Sequence, residues 1–259
     1  MSDYLDVLAR VAQITIESEY YDAVKPIVTK RISLRQAILD CPATPVITEI
    51  KSASPSAGVI RENVKVAEIA KAMRRGGATA LSVLTEPKQF NGSLEALIQA
   101  RTAVKLPILM KDIIISPIQI HAASKIGANA VLLIQALFDR GYSEKSLTEM
   151  IAGAHVLGFE VLLETHTETE FRSAVQTDAD LIGINNRNLG TLKVNLNVTK
   201  NILSKNSSNG KLVVSESGIN TQADIRFLGA SGARAFLVGS AIMSSDDVEE
   251  KVREFVNAK

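Results

Sequence analysis

Apolar residues in this chain fall into eight short, largely continuous runs rather than one repeating stripe. They are Pro45-Val46-Ile47-Thr48-Glu49-Ile50, Ala80-Leu81-Ser82-Val83-Leu84, Pro107-Ile108-Leu109-Met110, Ala130-Val131-Leu132-Leu133-Ile134, Phe159-Glu160-Val161-Leu162-Leu163, Leu181-Ile182-Gly183-Ile184, Lys211-Leu212-Val213-Val214 and Ala235-Phe236-Leu237-Val238. Runs of this length and continuity are the pattern of strands covered on both faces. Three are introduced by one phrase: Gly77-Ala78-Thr79-Ala80, Gly127-Ala128-Asn129-Ala130 and Gly232-Ala233-Arg234-Ala235. A looser copy, Thr177-Asp178-Ala179-Asp180, precedes Leu181. Each copy reads as a helix that ends near glycine, the residue suited to a left-handed C-terminal cap, with a strand following at once.

The runs begin near residues 46, 79, 107, 130, 159, 180, 212 and 235, about 27 residues apart on average. Every gap suits a loop-helix-turn crossover and none suits a hairpin. Eight strands alternating with helices predict a parallel (β/α)8 (TIM) barrel. The alternative, a doubly wound open sheet, would ordinarily carry a glycine fingerprint after its first strand. Ser52-Ala53-Ser54-Pro55-Ser56-Ala57-Gly58 contains none. Ahead of the first strand, Tyr4, Leu5, Leu8, Val11 and Ala12 recur at helical spacing, and Leu34–Leu39 predicts a second helix. The last helix is expected near Ser245-Asp246-Asp247, acidic residues suited to a first turn. No Pro- or Gly-rich linker interrupts the chain. The expectation is one domain over residues 1–259, with a helical extension at 1–45 and the barrel at 46–259.

At 259 residues the chain can bury a large core. Its 29 Lys+Arg against 28 Asp+Glu argue against a dedicated nucleic-acid binder or electrostatic docking on a membrane. The single cysteine, Cys41, excludes an internal disulfide framework and fits a reducing compartment. The N-terminal run has acidic residues early and no continuous apolar segment, so no secretory signal is expected. The longest apolar stretch, Ala130 to Phe138, is broken by Gln135 and too short to span a bilayer. These features together predict a cytoplasmic protein. His121, His155 and His166 show no metal-ligand spacing.

A barrel of this kind works at the C-terminal ends of its strands. Those ends carry Glu49 and Lys51, Lys111, Glu164, Asn185 and Arg187, Glu216 and Ser217, and Gly239 and Ser240. Residues two apart on a strand share a face, so Glu49 and Lys51 point the same way, as do Asn185 and Arg187. Two lysines and several glutamates at one mouth would perturb each other's protonation, the usual preparation for proton transfer. Ser217-Gly218, before a helix start at Thr221-Gln222-Ala223-Asp224, and Gly239-Ser240-Ala241, expected to open the last helix, suggest a phosphate site built from backbone N–H groups. Ser54, in Ser54-Pro55-Ser56, could add a hydroxyl. Phe90 lies on the loop after the second strand and could line an apolar substrate pocket.

The ordered set of motifs resembles the indole-3-glycerol-phosphate synthase family of tryptophan biosynthesis. It comprises Glu49-Ile50-Lys51 with Ser54-Pro55-Ser56, Leu81-Ser82-Val83-Leu84-Thr85-Glu86 with Phe90-Asn91-Gly92, Lys111-Asp112, Leu163-Glu164-Thr165-His166, Gly183-Ile184-Asn185-Asn186-Arg187-Asn188-Leu189, and Ser215-Glu216-Ser217-Gly218-Ile219. The resemblance implies a barrel whose N-terminal helical segment helps cover the mouth. It implies an anthranilate-substituted deoxyribulose phosphate as substrate, closed to a pyrrole with loss of carbon dioxide and then water, and no metal or organic cofactor. By the same resemblance Lys111 would be the general acid for ring closure, and Glu164 and Lys51 would serve the dehydration. Glu49 would tune the lysines and Asn185 would position the reacting centre. Ser217, Gly218, Gly239 and Ser240 would hold the phosphate, with Arg187 and Glu216 completing the polar network. Ile113 stands where the family commonly has Phe, Ser52 and Ala57 where basic residues are common, and Ser116 and Asn188 where acidic residues are usual. A phosphorylated small molecule is then the expected partner, with no nucleic acid or membrane, and the chain a monomer or weak homodimer. Two other readings of the same residues stand beside this one: a Schiff-base phosphosugar aldolase, in which a barrel lysine is the nucleophile, and a non-catalytic phosphate-binding barrel.

Overall fold

The computed structural model describes all residues except 1, 2, 23, 28, 55–57, 62 and 259. Eight parallel strands close into a barrel: β1 (Val46–Ile50), β2 (Ala80–Leu84), β3 (Ile108–Lys111), β4 (Ala130–Ile134), β5 (Glu160–Thr165), β6 (Leu181–Asn185), β7 (Leu212–Glu216) and β8 (Ala235–Val238). Closure is made by β8 against β1, with Val46 opposite Phe236 and Thr48 opposite Val238. Each strand begins within one residue of the position expected from the apolar runs. A two-stranded antiparallel hairpin, Ala53–Ser54 with Gly58–Val59, projects after β1.

The strict alternation of strand side chains produces two separate apolar layers. Outward residues such as Val46, Leu81, Met110, Val131, Leu163, Ile182 and Val213 pack against the surrounding helices. Inward residues form the barrel's own core. Ile47, Leu109, Leu162 and Val214, one from each odd-numbered strand, are fully buried there. A layer filled by alternate strands is how a barrel of eight closes its interior. Two residues further along the same faces stand Glu49, Lys111, Glu164 and Glu216. The polar constellation is therefore the next layer up, where apolar filling stops and the mouth begins.

The extension contributes helices Tyr4–Glu17 and Leu34–Leu39. The first buries Leu5, Leu8, Ala9 and Ala12 in the same cluster as the barrel interior, and its Tyr4 and Leu8 line the cavity at the strand ends with Lys111 and Glu164, so it lies across the mouth. Its start is fastened by a capping box between Asp3 and Asp6. Arg140, after β4, donates to Asp3 Oδ1 (2.8 Å) and Asp6 Oδ1 (2.6 Å), and Tyr142 donates to Asp6 Oδ1 (2.8 Å). These donors hold the Asp6 carboxyl down at about 2, Tyr142 first and Arg140 with it.

One expectation needs correction. Gly239-Ser240-Ala241 does not open the last helix. It opens a four-residue helix, Ser240–Met243, and the final helix is a separate one at Val248–Val256. Asp247 side-chain capping restarts the chain as a new helix after Ser244-Ser245-Asp246. Among the described residues no helix is long and apolar enough to cross a membrane.

Candidate active site

Lys111 ends β3 and donates through Nζ to Glu164 Oε2 at 3.0 Å and to Glu216 Oε2 at 3.3 Å. Across the barrel, Lys51 Nζ lies 2.9 Å from Glu49 Oε1. Asn185 Nδ2 donates to the other oxygen of Glu164 (2.8 Å), and Asn185 Oδ1 accepts from the Arg187 N–H (2.9 Å). Glu49, Glu164 and Glu216 are buried, and both lysines keep a partly exposed face. The strand-end residues thus form two groups on one cavity, Lys111 with Glu164, Glu216 and Asn185, and Lys51 with Glu49.

Burial works against the charge on Lys111, but attraction to Glu164, Glu216 and Glu49 outweighs it and raises the lysine pKa. The group is held as an ammonium, a proton donor within reach of two carboxylates. Glu216 moves up as well. Burial is the main cause, Lys111 opposes it, and the charge of Glu164 adds to it. Its Oε1 is buried without a hydrogen-bond partner among the described residues.

Two of the cavities bordering these residues meet at Lys111 and Lys51. One is a slot lined by Leu8, Phe90, Ile113, Leu132, Ile134 and Leu189, with Lys111, Glu164, Asn185 and Lys51 at its polar end. Such a surface suits a flat apolar ring presented to acid and base groups. The second, of about 230 Å³, is lined by Ser217, Gly218, Gly239 and Ser240, with Lys51, Lys111 and Arg187 on its wall together with the carboxylates of Glu49 and Glu216. Glu49 and Glu216 are ion-paired with Lys51 and Lys111, and the three cations still outnumber the two carboxylates, so backbone at Gly218 and Gly239 is a setting for a tetrahedral anion. Of the two helices after β7 and β8, Gln222–Ala230 has its first N–H groups engaged by a Thr221–Asp224 capping box, whereas no side chain caps Ser240–Met243. Gly239 has a second duty. A Cβ there would lie 2.7 Å from Glu49 Oε1 and 3.0 Å from Lys51 Cε, so a side chain at this position would push the ends of that ion pair aside.

Other sequence-selected positions take structural places. Ser54 sits in the hairpin after β1, and Pro55, Ser56 and Ala57 lie outside the described residues. Ser52 Oγ donates to Asn91 O (2.9 Å). Ser116 caps the helix Pro117–Lys125, and Asn188 Oδ1 accepts from the Gly190 and Thr191 N–H groups. His121 and His155 stay on helices, and His166 bonds the Asn185 carbonyl at 2.7 Å. No group of metal-ligating side chains occurs among the described residues.

Three residues beside the site had no role assigned from the sequence. Glu86 is buried and accepts from the N–H groups of Lys88 (2.9 Å), Gln89 (2.6 Å) and Phe90 (3.0 Å), which shapes the loop carrying Phe90. Asp112 accepts from Tyr21 Oη (3.0 Å), Thr85 Oγ1 (2.5 Å) and the Ile113 N–H (2.8 Å). Burial pushes its carboxyl up to about 6 against those donors. Tyr21, from the extension, is fully buried and ties that segment to the residue after Lys111. Glu86 and Asp112 stood in the quoted motifs without an assigned role. A single carboxylate beside a strand end carries no sequence signal for its partners.

Fold and site together define a (β/α)8 barrel equipped for acid–base chemistry on a ligand with an apolar ring and an anionic end. A family model described as indole-3-glycerol phosphate synthase matches residues 4–255. The chain belongs to that family. It is 47% identical over 214 residues to indole-3-glycerol phosphate synthase of Neisseria meningitidis serogroup B, covering 83% of this chain and 79% of the relative. It is 48% identical over 214 residues to the enzyme of that name from Methanocaldococcus jannaschii, covering 82% and 77%. Among solved structures, thiamine phosphate pyrophosphorylase from Pyrococcus furiosus superposes with a TM-score of 0.61 at 16% identity, over 87% of this chain and 97% of that one. The N-acetylmannosamine-6-phosphate 2-epimerase of Clostridium perfringens does so with a TM-score of 0.60 at 14%, over 83% and 93%. At that identity these two speak for the barrel alone.

Proposed function

We propose that this chain converts 1-(2-carboxyphenylamino)-1-deoxyribulose 5-phosphate into indole-3-glycerol phosphate, carbon dioxide and water, as its family does. The observation that carries the residue assignment is the placement of Lys111 Nζ between Glu164 and Glu216, at the junction of the apolar slot and the anion cavity. In this reading the aromatic ring lies against Phe90, Ile113 and Leu132, and the phosphate sits by Ser217, Gly218, Gly239 and Ser240. The carboxyl-bearing ring carbon attacks the ketone carbon as Lys111 gives a proton to the ketone oxygen. Carbon dioxide then leaves, returning its electron pair to the ring. In the last step the new hydroxyl takes a proton from the Lys51 ammonium and departs as water, while the Glu164 carboxylate removes a proton from the adjacent carbon. Glu49 orients Lys51, Asn185 fixes Glu164, and Arg187 and Glu216 complete the charge balance. A positioned acid or base contributes about 10² to 10⁴ in rate.

The Schiff-base reading asks for a neutral amine. Lys111, with its pKa raised between carboxylates, is in the opposite state. The direct test is the indole fluorescence of product formed from the anthranilate-bearing substrate, with one carbon dioxide released per indole. Absence of both defeats the proposal, and a borohydride-trapped lysine adduct would favour the aldolase. A reducing cytoplasm suits the single cysteine. Sedimentation tests the expected monomer or weak homodimer.

A further inference from the structure

Asn185 and Arg187 face the reaction mouth, and the residue between them, Asn186, faces the other way and is fully buried. Its Nδ2 donates to Ser215 Oγ (3.0 Å), to the Glu216 carbonyl (3.0 Å) and to the Ser217 carbonyl (3.2 Å). Its Oδ1 accepts from the Thr199 N–H (3.2 Å) and hydroxyl (2.8 Å), in the helix Asn197–Leu203. The Asn186 N–H also reaches the Glu216 carbonyl (2.8 Å). One side chain therefore uses its whole amide to fasten the turn after β7 to β6 and to a helix.

That turn has an unusual backbone. Ser217 has φ of 67° and Gly218 φ of 81°, two successive residues in the left-handed region, which side chains other than glycine rarely adopt. Such a conformation persists when its surroundings over-determine it. Here the two carbonyls that Asn186 grips belong to the peptide units on either side of Ser217. A trans peptide directs its N–H opposite to its carbonyl. With the Ser217 carbonyl drawn toward Asn186 and the helix layer, the Gly218 N–H is turned toward the cavity lined by Ser217, Gly218, Gly239 and Ser240.

We infer that Asn186 is a positioning residue for the phosphate end of the substrate: it holds the Glu216-Ser217-Gly218 backbone in the left-handed form that presents N–H groups to the anion. The inference rests on the proposed placement of phosphate in this cavity. Asn186→Asp keeps the shape and the acceptor for Thr199 but replaces the donors that grip the carbonyls. The expected result is a KM raised about 10- to 100-fold, as for loss of hydrogen bonds to a charged group, with kcat changed less than about threefold. Inhibition by inorganic phosphate should weaken in parallel. Thr199→Val, which loosens Asn186 from behind and touches no cavity wall, should move KM and phosphate inhibition the same way to a smaller extent. It decides the matter if the Asp variant does not fold. An unchanged KM and phosphate affinity in the folded variant overturns the inference, as does a fall in kcat with KM unmoved. Calorimetric titration of inorganic phosphate into wild type and variant separates the two failures. If wild type makes no indole product yet phosphate binding is weakened in the variant, the functional reading falls and the positioning role stands. If wild type is active and binds phosphate no better than the variant, the positioning role falls.

Discussion

Lys111 Nζ and Glu164 Oε2 stand 3.0 Å apart although their strands, β3 and β5, are not neighbours. Strand β4 runs between them, so the pair meets across the barrel interior rather than along a ladder. The arrangement follows from the layering described above. Alternate strands fill one level, and the level above Ile47, Leu109, Leu162 and Val214 is built from Glu49, Lys111, Glu164 and Glu216.

Removing the charged centre separates chemistry from folding. Lys111→Met is expected to lower kcat by about 10² to 10⁴. The fold should survive, because Glu216, whose pKa burial already raises, can take up a proton once its counter-charge is gone, and Glu164 keeps the Asn185 amide as a donor. Product fluorescence measures the first effect and a thermal melt the second.

Gly239→Ala tests the close approach at β8. The added methyl would press on Glu49 Oε1 and Lys51 Cε, and small displacements of catalytic groups cost about 10² in rate. Steady-state kinetics should show a fall in kcat of that order with the melting temperature little changed.

Asp112 should leave a signature in stability against pH. Its folded pKa of about 6 lies above the usual 3.8 because burial penalises the charge. Below pH 3.8 both folded and unfolded chains carry the proton and its contribution is fully present. As pH rises through 6 the contribution is lost, by about 3 kcal/mol for a shift of this size. Denaturant unfolding of wild type between pH 4 and 7 should show that decline relative to Asp112→Asn, which cannot ionise. Parallel curves would disprove it.

Glu86→Gln addresses the ring slot. Replacing the carboxylate removes the charged acceptor for the Lys88, Gln89 and Phe90 N–H groups, and hydrogen bonds to charge are the stronger kind. With the loop loosened, Phe90 no longer holds its place. KM should rise about tenfold with kcat much less affected, a split read from initial rates.

Much of the fold was legible along the chain. Strand starts were readable because a strand covered on both faces must be apolar almost throughout. The final helix near Asp247 was readable from its acidic first turn. The short helix at Ser240–Met243 was not, since four residues carry no period. For the site, strand-end polarity picked out Glu49, Lys51, Lys111, Glu164, Asn185 and Glu216, because a carboxylate or ammonium at the end of an apolar run is costly to bury unless it has partners. The carboxylates of Glu86 and Asp112 drew no such attention, since each lies in a loop where a charge is ordinary.

By itself, then, the sequence determined the number and order of strands, the face on which each strand-end residue lies, and the family. These depend on local periodicity and on motif order. Only the tertiary structure decided which charges pair, that Gly239 must yield space to Glu49 and Lys51, and that Asn186 grips the backbone of a turn thirty residues away. Those relations arise when the barrel closes and brings distant segments within hydrogen-bond range, and no pattern along the chain encodes the distance.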